Sequence, residues 1–406
     1  MLAGTFAAVC AADERRDRVF AFNEKIDRRG TACIKWDFQE MDYKGKSGLL
    51  PFSIADADYR IHEPILQALK DRIDTGVIGY TDLGPEYFEA VRKWCRERHD
   101  WEVEKEWLVP VGGIVPAINT LIEVLTGPDA GIIVQPPVYD PFYSVVEAAG
   151  RRCLKNDLIL DEDGYHMDFA GLEKLAADGA EMLVLCSPHN PVCRVWTREE
   201  LQKVADIAAR YGLYVVSDEI HWDLVLGGCE HVTMGQFREL YERLVVCTSC
   251  SKTFNIAGLE TSTLIIPGEA VRTKVQDHLY ARYLFVPNTL GLTAVVAAYN
   301  TGSEWVDEEQ RFLTENAKIV GDFLAEHLPK VKLARPEGTY LLWMDMRAYG
   351  LSSDELIDRI AEEGAGLNAG NHYGENYDGF VRMNVACPKE QLLAGLACIE
   401  RALNNI

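Results

Sequence analysis

Between Glu63 and Pro287, short apolar runs alternate with stretches of helical period, and this alternation narrows the possible folds more than any other property of the chain. The runs are EWLVPV from Glu106, GIIVQP from Gly131, EMLVLCSP from Glu181, LYVVSDE from Leu213, RLVVCTSC from Arg243 and STLIIP from Ser262. Between them lie helical segments such as AINTLIEVL from Ala117 and REELQKVADIAARYG from Arg198. A strand that is apolar at every position is buried on both faces, so the pattern predicts an α/β fold with a mostly parallel sheet covered by helices. In such sheets ligands bind beyond the carboxyl ends of the strands.

At 406 residues the chain is too long for one hydrophobic core. After about Asn300 a long charged helix from Ser303 leads into strands near VKLA and TYLLWMD, which reads as a smaller α+β domain. The expected division is a tail at 1–20, a large domain at 61–290, and a small domain built from 21–60 and 291–406.

The formal charge of −22 argues against nucleic acid and anionic membranes as partners. No apolar run reaches the length of a membrane span. The amino-terminal MLAGTFAAVCAADERRDR lacks a basic n-region, and Val9 before Cys10 does not suit a lipoprotein site, so a frayed tail is expected. Eleven scattered cysteines fit a reducing cytoplasm. Cys247 and Cys250 form a C-x-x-C without the second pair that a zinc site needs, so no metal is expected and packing is the better reading.

Polar residues collect where the strands end. Gly112 and Gly113 separate a strand from a helix that starts near Ile114, and the free N–H groups of a helix start attract anions. Tyr139 follows the next strand on a proline-rich loop. Asn190 sits in CSPHNP, Asp218 leaves its strand in VVSDEIHWDL with His221 three residues on, and Lys252 is flanked by Ser249 and Ser251. Each has an ordinary reading alone: a steric glycine, a packing tyrosine, a turn asparagine, an ion-paired aspartate, a snorkelling lysine. Together they offer an anion cradle, an aromatic cover, an amide donor, an acid and a reactive amine. That set matches the needs of pyridoxal 5′-phosphate (PLP), whose ring acts as an electron sink when an acid keeps its nitrogen protonated.

The spacing of Asn190, Asp218, Lys252 and Arg382 resembles the fold-type I PLP enzymes of the aminotransferase class I/II group. The strings RRGTACIKWDF, LCSPHNPVCRVWTREEL, SDEIHWDLVL, SKTFNIAGL, EGTYLLWMD and FVRMNVACP resemble the MalY/PatB-type cystathionine β-lyases, or C–S lyases, from about Asp27 to the carboxyl end. The resemblance implies a cytoplasmic homodimer with shared active sites and a small amino-acid substrate. It implies Lys252 as Schiff-base lysine and general base, Asp218 as partner of the ring nitrogen, Asn190 and His221 near the ring's phenolic oxygen, and Tyr139 stacked on the ring. Gly113, Ile114, Ser249 and Ser251 would hold the phosphate, with Tyr80 reaching in from the other subunit. Arg382 and Asn384 would bind the substrate, the arginine through its carboxylate. The expected reaction is cleavage of cystathionine or a cysteine S-conjugate to a thiol, pyruvate and ammonia. Transamination on the same scaffold is the alternative, and a regulator-binding protein without turnover is a third possibility that retention of Lys252, Asp218 and Arg382 opposes.

The chain departs from the subgroup's pattern at four places. Cys193 replaces a usual glycine and would be strained at positive φ. Ser53 replaces a tryptophan expected to line the pocket. Glu260 stands eight residues after Lys252, where relatives carry Arg or Gln. GNHYGENYDGF, from Gly370, varies the usual glycine-rich pattern.

Overall fold

The computed structural model describes residues 20–285 and 288–404; the predicted tail, with Val9 and Cys10, lies almost wholly outside them. Seven strands form the large sheet: β1 Leu108–Val111, β2 Gly131–Val134, β3 Arg152–Lys155, β4 Ala180–Cys186, β5 Tyr214–Asp218, β6 Leu244–Thr248 and β7 Ser262–Ile265. Their order is β1-β7-β6-β5-β4-β2-β3. Neighbours from β6 through β3 run parallel, and β7 runs antiparallel to both β1 and β6.

The unbroken apolar runs are explained by two cores, one on each face. Along β4, Met182, Val184 and Cys186 pack in one cluster while Leu183 and Leu185 pack in the other. Along β6, Val245 and Cys247 face one way and Leu244 and Val246 the other. Each such fully buried aliphatic side chain contributes about 2 kcal/mol of transfer free energy. Cys247 and Cys250 fall in different clusters and pack as small apolar groups.

Helix α1, Ile114–Leu125, follows β1 directly. Its first turn holds Pro116, which needs no hydrogen-bonded N–H there, and Thr126 closes its other end by donating to the Ile122 carbonyl at 2.6 Å. Helix α2, Arg198–Tyr211, opens with a Thr197–Glu200 capping box and stops at Gly212, whose φ of +69° ends the helix.

The second sheet contains β8 Lys332–Leu333, β9 Leu341–Asp345, β10 Asn368–Ala369 and β11 Phe380–Asn384, in the antiparallel order β8-β9-β11-β10. It lies beyond the long helix α3, Ser303–His327. Leu50–Pro51 pairs in parallel with Ala365–Gly366, which ties the amino-terminal segment to this region. In the register of β11, Arg382 stands between Trp343 of β9 and Asn368 of β10.

Candidate active site

A cavity of about 530 Å³ opens at the carboxyl ends of β4, β5 and β6. Its walls bring together Gly113, Ile114, Tyr139, Asn190, Asp218, His221, Ser251 and Lys252. Residues spread over 140 positions of sequence therefore meet because each follows one of the parallel strands of a single sheet.

The Gly112–Gly113 turn precedes α1, with Gly113 extended at φ −179°. Neither glycine is left-handed, and a methyl group on either would meet no protein atom closer than 3.5 Å. Protein packing does not demand glycine here. The open side is the cavity, where the bare backbone and the start of α1 suit an anion such as phosphate. Ser251 is also in the wall. Ser249 is not: its hydroxyl donates to the Thr261 carbonyl at 2.9 Å and accepts from the Ser251 N–H at 3.1 Å, so it shapes the turn that presents Ser251.

Asp218 ends β5 fully buried, and its carboxylate accepts one hydrogen bond from the Ile220 N–H at 3.1 Å. Burial pushes its carboxyl up to about 7, with the neighbouring Glu219 adding to the rise and Lys252 opposing it. Such a carboxyl is incompletely satisfied until a cationic group faces it, which a protonated ring nitrogen supplies. His221 follows on a turn, not a helix, with the Leu224 N–H donating to its carbonyl. Burial lowers its imidazole to about 3, aided by Lys252 and Arg382, so the ring is neutral; Nδ1 is buried without a partner among the described residues. Tyr139 is half-buried and rests edge-on against Phe142 at 5.9 Å.

Lys252 lies on the turn after β6, and its Nζ donates to the Ala55 carbonyl at 2.6 Å. Burial lowers its proton affinity; Asp56 works against that and Arg382 with it. An amine destabilised as an ammonium ion can serve as nucleophile or base.

Arg382 lies one contact behind the wall. Nη1 donates to Asn190 Oδ1 at 3.1 Å, and Nη2 to the Ser53 carbonyl at 2.6 Å and Asn368 Oδ1 at 3.0 Å. All three acceptors are neutral, Nε has no partner among the described residues, and the guanidinium sits 5.0 Å over the Tyr373 ring. A buried cation with only neutral acceptors is suited to an incoming carboxylate. Tyr373 comes from the divergent GNHYGENYDGF stretch, which thus supports this arginine.

Like Ser249 and Arg382, three more residues singled out from the sequence stand apart from the cavity wall. Asn384 commits its amide to the backbone, donating to the Ile54 and Asp56 carbonyls at 2.6 and 2.7 Å and accepting from the Ala386 N–H at 2.8 Å. Both of its donors are spent, leaving none for a substrate carboxylate, so it acts on the site through the loop it holds. Tyr80 is fully exposed and away from its own chain's cavity. Ser53 lies behind the wall and contributes its carbonyl to Arg382 rather than open space to the pocket.

Cys193 is buried with φ +63°, the left-handed conformation that strains a non-glycine residue, and its thiol donates to the Leu341 carbonyl at 2.8 Å. Glu260 is exposed at φ +45° and lies on the cavity rim with Tyr283 and Leu284. Sequence reasoning missed the Ala55 carbonyl and Tyr340, which donates to that same oxygen at 3.1 Å. A backbone oxygen leaves no mark on a sequence.

The sequence profile of aminotransferase class I and II matches residues 38–399. Cystathionine beta-lyase PatB of Bacillus subtilis is 39% identical over 386 residues, covering 94% of this chain and 100% of its own length. Protein MalY of Escherichia coli is 33% identical, covering 96% of this chain and 100% of its own. The structure of cystalysin from Treponema denticola, which contains pyridoxal 5′-phosphate, superposes with a TM-score of 0.91 at 33% identity, covering 95% of this chain and 98% of that one.

Proposed function

This chain belongs to the aminotransferase class I and II family, and from that premise we propose that it is a PLP-dependent carbon–sulfur β-lyase. Its substrate is cystathionine or a cysteine S-conjugate, cleaved to a thiol, pyruvate and ammonia. The observation that carries this reading is the joint placement of three groups: Lys252 with lowered proton affinity, Asp218 on the same wall, and Arg382 with only neutral acceptors. The full-length likeness to PatB and MalY supports lyase chemistry.

The residues present suit the cofactor. The Gly112–Gly113 turn, the Ile114 N–H and Ser251 would hold its phosphate, Tyr139 would cover the ring, and Asn190 and His221 would flank the ring oxygen. Asp218 would face the ring nitrogen and Lys252 the reactive carbon. When bound, the ring supplies the electron sink that makes the substrate Cα–H acidic.

The chain's own residues do the rest. Arg382 fixes the α-carboxylate with its planar fork. Lys252 takes the Cα proton, because burial leaves its amine free enough to accept one. A thiolate on Cβ then departs with the C–S electron pair, and Lys252, now protonated, is the acid within reach. Water completes the release of pyruvate and ammonia.

We further take the enzyme to be a cytoplasmic homodimer in which Tyr80 of one copy completes the site of the other. Tyr80, Ile78, Tyr283 and Leu284 are all more than half exposed, and the last two border the cavity. Among the described residues, no helix is long and apolar enough to cross a membrane, and the cysteines are free thiols. The division into domains at 61–290, and at 21–60 with 291–406, is part of the same reading.

The test is incubation of the PLP-supplemented protein with cystathionine and no keto-acid acceptor. Pyruvate and ammonia are expected in equal amounts. Consumption of an added keto acid without pyruvate formation would replace the lyase with a transaminase.

A further inference from the structure

Within residues 53–59, Ala55 is the residue that reaches the cavity wall. The backbone on either side of it is held by side chains from distant parts of the chain. One amide, that of Asn384 on β11, brackets Ala55 by donating to the carbonyls of Ile54 and Asp56. Lys35 donates to the Asp56 carbonyl at 2.9 Å and pairs with the Asp58 carboxylate at 2.8 Å. Asn255, three residues beyond Lys252, binds the Ala57 N–H at 3.0 Å and the Ala57 and Tyr59 carbonyls at 2.9 and 3.0 Å.

The result is a carbonyl oxygen with a fixed direction. Ala55 O takes two donors, Lys252 Nζ at 2.6 Å and the Tyr340 hydroxyl at 3.1 Å. Tyr340 is fully buried and its ring stands edge-on to His221 at 5.9 Å. A plain turn would need neither a buried tyrosine hydroxyl on that oxygen nor one asparagine gripping both flanking carbonyls.

We propose that the Ala55 carbonyl is a built resting point for the free Lys252 amine, and that Tyr340 and Asn384 are its positioning residues. This rests on the reading of Lys252 as the base, which must be unattached while it moves the Cα proton. A four-carbon stem leaves the amine free to swing, and a single aimed acceptor holds it at one place beside the substrate. Neither positioning residue touches the reacting atoms.

The test uses cofactor-free protein, so it does not depend on whether PLP binds. The rate of Lys252 acetylation is followed against pH by mass spectrometry in wild type, Tyr340→Phe and Asn384→Ala, with exposed Lys330 as internal reference. A carbonyl acceptor favours the charged ammonium, so loosening it must lower the proton affinity of the amine. The other charged or titratable groups facing Lys252 (Asp56, Asp218, Arg382, Lys35 and His221) are the same in all three proteins. The midpoint for Lys252 is expected to fall by about half a pH unit or more in each variant, about threefold in free amine, while Lys330 does not move. An unchanged or raised midpoint in either variant overturns the proposal. Should one variant fail to fold, the other decides. The reading of Lys252 as the cofactor lysine is tested separately by visible absorbance of PLP-loaded wild type, which must be lost in Lys252→Ala.

Discussion

Arg382 Nη1 donates to Asn190 Oδ1 at 3.1 Å, joining β11 of the small sheet to the loop after β4 of the large one. The two sheets thus share one substrate-binding contact. Removing the guanidinium leaves three neutral acceptors without a donor and the substrate carboxylate without a partner. Arg382→Ala is expected to lower kcat/KM about 100- to 1000-fold, or about 3–4 kcal/mol. Arg382→Lys should recover only part of this, since an ammonium ion lacks the fork. Steady-state kinetics with cystathionine checks both.

Asp218 makes the stability of the cofactor-free protein depend on pH. Its carboxyl is pushed up to about 7 from an ordinary 3.8, so between those values the folded state holds a proton that the unfolded state has released. Stability therefore falls as pH rises from about 4 to about 7, by about 4 kcal/mol from this group, and levels off above. Asp218→Asn, which cannot ionise, should lose this slope. The difference in urea-unfolding free energy between variant and wild type should shift toward the variant between pH 4 and pH 8. The same variant should lose activity by about 100-fold or more, because an amide does not hold a ring nitrogen protonated.

Cys193 inverts the usual ranking of glycine and alanine. Its φ of +63° costs a residue with a Cβ about 1 kcal/mol, which glycine avoids. Cys193→Ala keeps that strain and loses the thiol contact with Leu341 O, whereas Cys193→Gly loses the contact and the strain together. The glycine variant should be the more stable of the two by about 1 kcal/mol. Thermal or chemical unfolding of the pair provides the check.

Glu260 puts a carboxylate on the rim of a cavity suited to a phosphate. Glu260→Gln is expected to tighten PLP binding about fivefold, close to 1 kcal/mol, at low ionic strength. The gain should shrink as salt is added, since the rim is exposed. Titration of cofactor-free protein with PLP at two salt concentrations measures it.

Tyr80 can be tested by subunit mixing. If it serves the other copy, Tyr80→Ala and Lys252→Ala chains are each poorly active alone, but a mixed dimer rebuilds one complete site. Random exchange should restore about a quarter of wild-type activity, since half of the dimers are mixed and each has one good site of two. No recovery after verified exchange would mean that Tyr80 acts within its own chain or not at all.

The parts of the fold legible in sequence were those with burial on both faces. β4 and β6 show as unbroken apolar runs because alternate residues enter two cores. β3 does not: Arg152–Lys155 is an exposed or half-buried edge, and its residues carry no such signature. Within the site, side chains that follow strands were legible because the parallel sheet collects them at one end. Ser249 was read as a phosphate ligand from its place beside Lys252, yet its hydroxyl turns to Thr261 O. Asn384 shares a strand and a face with Arg382, two residues away, yet its amide is spent on the Ile54–Asp56 backbone. Backbone oxygens such as Ala55 O were invisible, since their direction is set only once the loop is held.

The bracket that Asn384 places around Ala55 also fixes when during synthesis the site can mature. A nascent chain that has emerged as far as Ile265 already carries all seven strands of the large sheet, the glycine turn, Asp218 and Lys252. Tyr340, Arg382 and Asn384 have still to be translated, so the 53–59 loop has its holds from Lys35 and Asn255 but not those that aim Ala55. Folding of the large sheet can begin on the ribosome, but the site's final geometry must wait for Asn384, and a chain truncated before that residue should lack it while leaving that sheet able to form.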